Sequence, residues 1–105
     1  MDAVLDEIEQ KRGELEALCR RYGVRRLELF GSAATGIFRP DESDLDLLAE
    51  FESHLSSGYA DRYFGLIEAL ETLFGRHVDL VVASAIRNPY FRASVETTKT
   101  LLYAA

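Results

Sequence analysis

Apolar residues recur along this chain with two periods, and each switch between them marks a new element. Val4, Ile8, Leu15, Leu18 and Tyr22 fall on one stripe at helical spacing, interrupted by Lys11, so residues 2–22 read as one helix stopped by Gly23. Residues 25–30 (RRLELF) alternate between apolar and polar and predict a strand. Ser32 is a candidate N-cap for a short helix over residues 33–37, and residues 39–43 (RPDES) have the composition of a loop. A second strand is predicted at residues 45–51 (LDLLAEF), followed by a turn-rich connector at 53–58. Tyr59, Tyr63, Ile67, Leu70 and Phe74, flanked by Leu66 and Leu73, predict an amphipathic helix over 59–74 that ends at Gly75. Residues 77–83 (HVDLVVA) read as a third strand, apolar enough for a central place in a sheet. Asn88-Pro89 marks a turn, 91–99 a last short helix, and 101–105 an apolar tail. This order predicts an α/β (α+β) fold, a small sheet of three to four strands covered by helices.

Length and composition narrow the picture. At 105 residues, 48% hydrophobic and 29% charged, the chain reads as one domain, residues 1–105, of ordinary globular composition. A chain of this size buries roughly two-thirds of its unfolded surface, enough for one sheet and a few helices. No apolar run approaches a membrane span, and the acidic, periodic start MDAVLDEIEQ resembles neither a signal nor a transit peptide. Cys19 is the only cysteine, which excludes an intramolecular disulfide and fits a reducing cytoplasm. It falls at helical spacing among apolar residues, so the reading is a small buried hydrophobe rather than a nucleophile. A formal net charge of −6, with Lys and Arg scattered and densest at Arg20-Arg21 and Arg25-Arg26, argues against direct nucleic-acid binding.

The chemistry concentrates in FGSAATGIFRPDESDLDLLAEF, residues 30–51. Residues i and i+2 of a strand share a side, so Asp44 and Asp46 would stand together while Leu45 and Leu47 point to the core. A divalent cation is the simplest relief for two like charges so placed, and carboxylate oxygens suit Mg²⁺. Asp79, between Val78 and Leu80, is the third carboxylate; an ionised Asp in so apolar a run is costly unless paired or metal-bound. If its strand neighbours the second one, three carboxylates converge. Gly31-Ser32 falls at a strand-to-helix junction, where backbone N–H groups and a helix dipole can meet an anion. Gly31 and Gly36 have Walker A spacing, but Ile37-Phe38 stand where Lys and Ser/Thr are required, and no GxGxxG is present. His54 and His77 lack partners at zinc spacing. Arg87 and Arg92 read as solvated, and Tyr59 and Tyr63 as core.

Gly31-Ser32, a short gap, Asp44-x-Asp46 and the later strand residue Asp79 resemble the signature of the polymerase-beta nucleotidyltransferase superfamily. The chain's length, its FGS…SDLDLL wording and its ending NPYFRASVETTKTLLYAA are similar to the minimal nucleotidyltransferase (MNT) antitoxin branch, from about Val24 to Ala105. The resemblance implies a nucleotidyltransferase-like fold and a transfer from ATP. Asp44, Asp46 and Asp79 would be catalytic and hold two Mg²⁺ ions about 3.5–4 Å apart, with Gly31 and Ser32 binding the nucleotide phosphates. Two departures are plain: eleven residues separate Ser32 from Asp44, one more than the commonest spacing. Ala33 and Ala34 also stand where many relatives carry an Arg, for which Arg39 is a loop candidate. A chain this short has no residues left to hold an acceptor, so the acceptor would bring its own positioning. The MNT branch implies a HEPN-type ribonuclease toxin as partner, with AMP added to a toxin tyrosine. The alternative is a non-catalytic antitoxin that blocks its toxin by binding through Tyr90-Phe91 or Leu101-Leu102-Tyr103; a small-molecule nucleotidyltransferase lacks a visible substrate domain.

Overall fold

The computed structural model describes residues 3–31, 45–52 and 58–105. Ser32, the expected helix over 33–37, the loop 39–43 with Arg39, Asp44, the connector 53–57 with His54, and the side chain of Val4 lie outside the described residues. The described elements are α1 (Ala3–Gln10), α2 (Arg12–Arg21), β1 (Val24–Phe30), β2 (Leu45–Phe51) and α3 (Tyr59–Phe74). They are followed by β3 (Val78–Val82), a 3₁₀ turn (Ala83–Ala85), α4 (Pro89–Thr98) and β4 (Thr100–Ala104).

The strands form one mixed sheet in the order β3-β2-β1-β4. β1 is antiparallel to both β2 and β4, whereas β2 and β3 are parallel, with α3 in the crossover that parallel neighbours need. Alternation along the strands sends two sets of apolar side chains to opposite faces. Leu27, Leu29, Leu45, Leu47, Val78 and Leu80 pack with Leu15, Leu66 and Leu70 of α2 and α3. Phe30 and Leu48 pack on the other face with Ile86 and with Val95 of α4. No helix among the described residues is long and apolar enough to cross a membrane.

Three features differ from the sequence reading. The expected helix over 2–22 is two helices meeting at Lys11, the residue that interrupts the apolar stripe. The Lys11 N–H is shared between the carbonyls of Glu7 and Ile8, each at 3.1 Å. Its ammonium reaches across to the Leu73 carbonyl at 2.7 Å, 5.7 Å from the Phe74 ring centroid, where a cation suits the C-terminal end of α3. Second, β3 is an edge strand of the described sheet rather than a central one. Its apolar run reflects cover on both faces, since Val78 and Leu80 face one cluster and Val81 the other; hydropathy reports faces and says nothing of the ladder's edge. Third, the apolar tail is strand β4, with Leu102 buried and Leu101 exposed.

Asn88 is more than a turn residue. Its side-chain Oδ1 accepts from the N–H of Tyr90 at 2.8 Å and of Phe91 at 3.2 Å, and Pro89 opens α4 at a position where no N–H is required. Asn88→Ala is expected to destabilise the protein by about 1 kcal/mol, read as a fall in melting temperature of roughly 4–8 °C. An unchanged melting curve would remove the cap from the account.

Candidate active site

Leu45, Leu47 and Ala49 are fully buried on the helix-covered face of β2, which leaves Asp46 with Leu48 on the opposite face. The parallel register with β3 sets Leu45 against Val78 and Asp46 against Asp79. The two aspartates are therefore direct neighbours on strands about 4.8 Å apart. Their mutual repulsion is of order 1 kcal/mol in a water-like dielectric, and a cation bound between them would relieve it. Asp79 is exposed and Asp46 partly buried. Strand parity puts Val78 and Leu80 on the face opposite Asp79, and the structure adds that Asp79 meets solvent, which lowers the burial cost expected of it.

Gly31 closes the site at the end of β1, where Phe30 pairs with Asp46. Its φ of +75° lies in the left-handed region, and a Cβ placed there would collide with the Asp46 carboxylate. Glycine is needed twice over, for its backbone conformation and for its missing side chain. The Gly31 N–H donates to the Thr98 hydroxyl oxygen at 3.3 Å, and the Thr98 hydroxyl donates to the Ser94 carbonyl at 3.1 Å.

Asp46, Asp79 and Gly31 are thus brought together, while Asp44 and Ser32 lie outside the described residues. No group of three His, Cys, Asp or Glu able to hold a metal occurs among the described residues. The pair itself is an all-oxygen, anionic donor set open to solvent, which fits a hard divalent cation.

The surroundings revise several minor readings. Tyr90 is 85% exposed and Phe91 39%; the Phe91 ring meets Phe30, the strand partner of Asp46, edge-on at 5.9 Å. Tyr59, expected in the core, is half exposed against Phe51, whereas the Tyr63 hydroxyl donates to the Leu80 carbonyl at 2.7 Å. Arg87 and Arg92 donate to the Ser84 and Ile86 carbonyls. His77 pairs with Glu71 at 3.0 Å. Cys19 is fully buried, and burial pushes its thiol up to about 12, which removes it as a nucleophile.

Two residues escaped the sequence reading. Thr98 lies 67 positions from Gly31, a separation no local pattern bridges. Glu28, buried in an alternating strand, lies 3.3 Å from Arg26 and 3.7 Å from Lys99 and lines a polar cleft of about 300 Å³ on the α4-covered face. Its only signal was an acidic residue in the register of Phe30.

Residues 12–102 match the model of a nucleotidyltransferase domain. The chain is 38% identical over 85 residues to protein adenylyltransferase MntA of Thermococcus cleftensis, covering 80% of this chain and 82% of that protein. A solved structure described as a candidate minimal nucleotidyltransferase superposes with a TM-score of 0.75 at 35% identity, over 95% of each chain. A tri-AMPylated Shewanella oneidensis HEPN toxin in complex with an MNT antitoxin contributes a chain of the same fold, with a TM-score of 0.62 at 18% identity over 92% of this chain and 72% of that one. A match across nearly all the described elements joins a glycine turn pressed against one of two in-register aspartates: this chain belongs to the nucleotidyltransferase domain family, in its minimal branch, and is a transferase.

Proposed function

We propose that this protein is an antitoxin that transfers AMP from ATP to a tyrosine hydroxyl of a HEPN-type partner toxin and thereby neutralises it. The observation that carries this reading is the register of Asp46 against Asp79 behind the Gly31 turn. In the reaction the tyrosine oxygen forms a bond to the α-phosphorus of ATP, the bond from that phosphorus to the bridging oxygen breaks, and pyrophosphate leaves with the electron pair. The tyrosine proton passes to solvent or to an exposed carboxylate. Asp44, Asp46 and Asp79 would hold Mg²⁺, which when bound supplies neutralisation of phosphate charge and activation of the attacking oxygen.

The chain's own contribution is positioning. The parallel β2–β3 ladder presents two carboxylates at one fixed spacing, and a rigid donor set needs no reorganisation when charge develops. Gly31, lacking a side chain, lets the end of β1 lie directly against Asp46, and Ser32 would be the adjoining hydroxyl donor to a phosphate. Tyr90 and Phe91 form an exposed aromatic border where a protein acceptor can lie. Such a surface also serves the second reading, in which the chain silences its toxin by binding alone.

Incubation with α-labelled ATP, Mg²⁺ and the co-expressed partner separates the two. Label is expected on the partner, with mass spectrometry placing AMP on a tyrosine. Toxin that is neutralised without acquiring label would overturn the transfer reading in favour of binding.

A further inference from the structure

We infer that Thr98, at the C-terminal end of α4, is a positioning residue for the site: its hydroxyl holds the Gly31 peptide against Asp46. This rests on the reading of Asp46 and Asp79 as the nucleotidyl-transfer centre.

The hydroxyl has one proton, and that proton is committed to the Ser94 carbonyl at 3.1 Å. Its lone pairs are therefore turned outward, and one accepts the Gly31 N–H at 3.3 Å. A rotor fixed on one side is a directional acceptor on the other. Gly31 is the residue that needs such a hold. Its positive φ is one of several wells open to glycine, and a Cβ on it would collide with the Asp46 carboxylate, so a rotation of this peptide changes what the carboxylate lies against.

Thr98 is itself anchored. The Lys99 N–H closes the last turn on the Val95 carbonyl at 2.9 Å. The Lys99 ammonium lies 3.0 Å from Glu96 and 3.7 Å from the buried Glu28 of β1. The next residue, Thr100, enters β4 in register with Leu29. The hydroxyl is thus tied, through Lys99 and Thr100, to the same strand whose end it braces. Thr98 is only partly buried, so its hydroxyl adds little to global stability.

The test compares Thr98→Val, which keeps the shape and loses the hydroxyl, with Thr98→Ser, which keeps the hydroxyl; Thr98→Ala serves if the valine variant fails to fold. In the valine variant, amide exchange at Gly31 is expected to quicken about five- to tenfold, the scale of one net hydrogen bond. kcat for AMP transfer is expected to fall by a similar factor with KM for ATP changed less than twofold. The serine variant should restore both. Unchanged Gly31 exchange overturns the inference, and so does altered exchange with an unaltered kcat. If the wild-type protein transfers no AMP, the proposed function fails, while the exchange comparison still judges the Thr98–Gly31 link.

Discussion

Asp46→Asn is expected to lower AMP transfer by about a thousandfold or more while the protein keeps its fold. The carboxylate is the partly buried member of the pair, set against Asp79 by the ladder and against Gly31 by the turn, so no other described side chain can replace it. Loss of one anionic ligand removes several kcal/mol of charge stabilisation at the reacting phosphate, and each 1.36 kcal/mol is a factor of ten in rate. Asparagine matches the shape of aspartate, so the variant should still show a cooperative melting transition without Mg²⁺. The stabilisation that Mg²⁺ and ATP confer on the wild type by mass action should shrink in the variant. Initial rates with labelled ATP and melting curves with and without Mg²⁺ measure both effects. A variant retaining a tenth of wild-type activity would remove Asp46 from the metal-binding set.

Gly31→Ala should damage fold and activity together. A left-handed φ costs a non-glycine residue about 1–2 kcal/mol, and forcing a methyl group into occupied space costs about 1–3 more. The expected destabilisation is about 2–5 kcal/mol by urea unfolding. Gly75 supplies the control: its φ of +66° is also left-handed, but a Cβ there would meet nothing within 4 Å. Gly75→Ala should therefore show only the backbone cost, about 1–2 kcal/mol. The excess at Gly31 isolates the collision with Asp46, and transfer activity should fall at Gly31 alone. Equal destabilisation at the two sites would show that the Gly31 contact with Asp46 has no energetic weight.

Legibility varied from element to element for physical reasons. The helix over 59–74 and the strand over 45–51 were readable to their ends because each carries a strong period and a clean stop; Gly75 takes the left-handed conformation that ends α3. The first helix was readable as helical but not as two pieces, since a single lysine on an apolar stripe has several outcomes. Here it falls at the break between α1 and α2 and meets the far end of α3, 62 residues away. The strand TLLYA was invisible as a strand because its apolar residues do not alternate, and β1 alone supplies its partner. The alternation of β1 does not show that Glu28 is buried, which depends on the residues of α4 and the 3₁₀ turn that line the same cleft.

The candidate site divides along the same line. Local sequence is enough for the residue types and the parity of each strand: alternation around Asp46 and around Asp79 puts each carboxylate on the face opposite its leucine neighbours, because the side-chain period of a strand is two. Which strand lies beside which, and in what register, depends on pairings between distant segments that no period encodes. The fold sets Asp46 level with Asp79, presses Gly31 onto Asp46, turns the Gly31 N–H to Thr98 and leaves Asp79 in water. Side-chain chemistry is written residue by residue along the chain, whereas the distances that make such residues a site are set by packing across it.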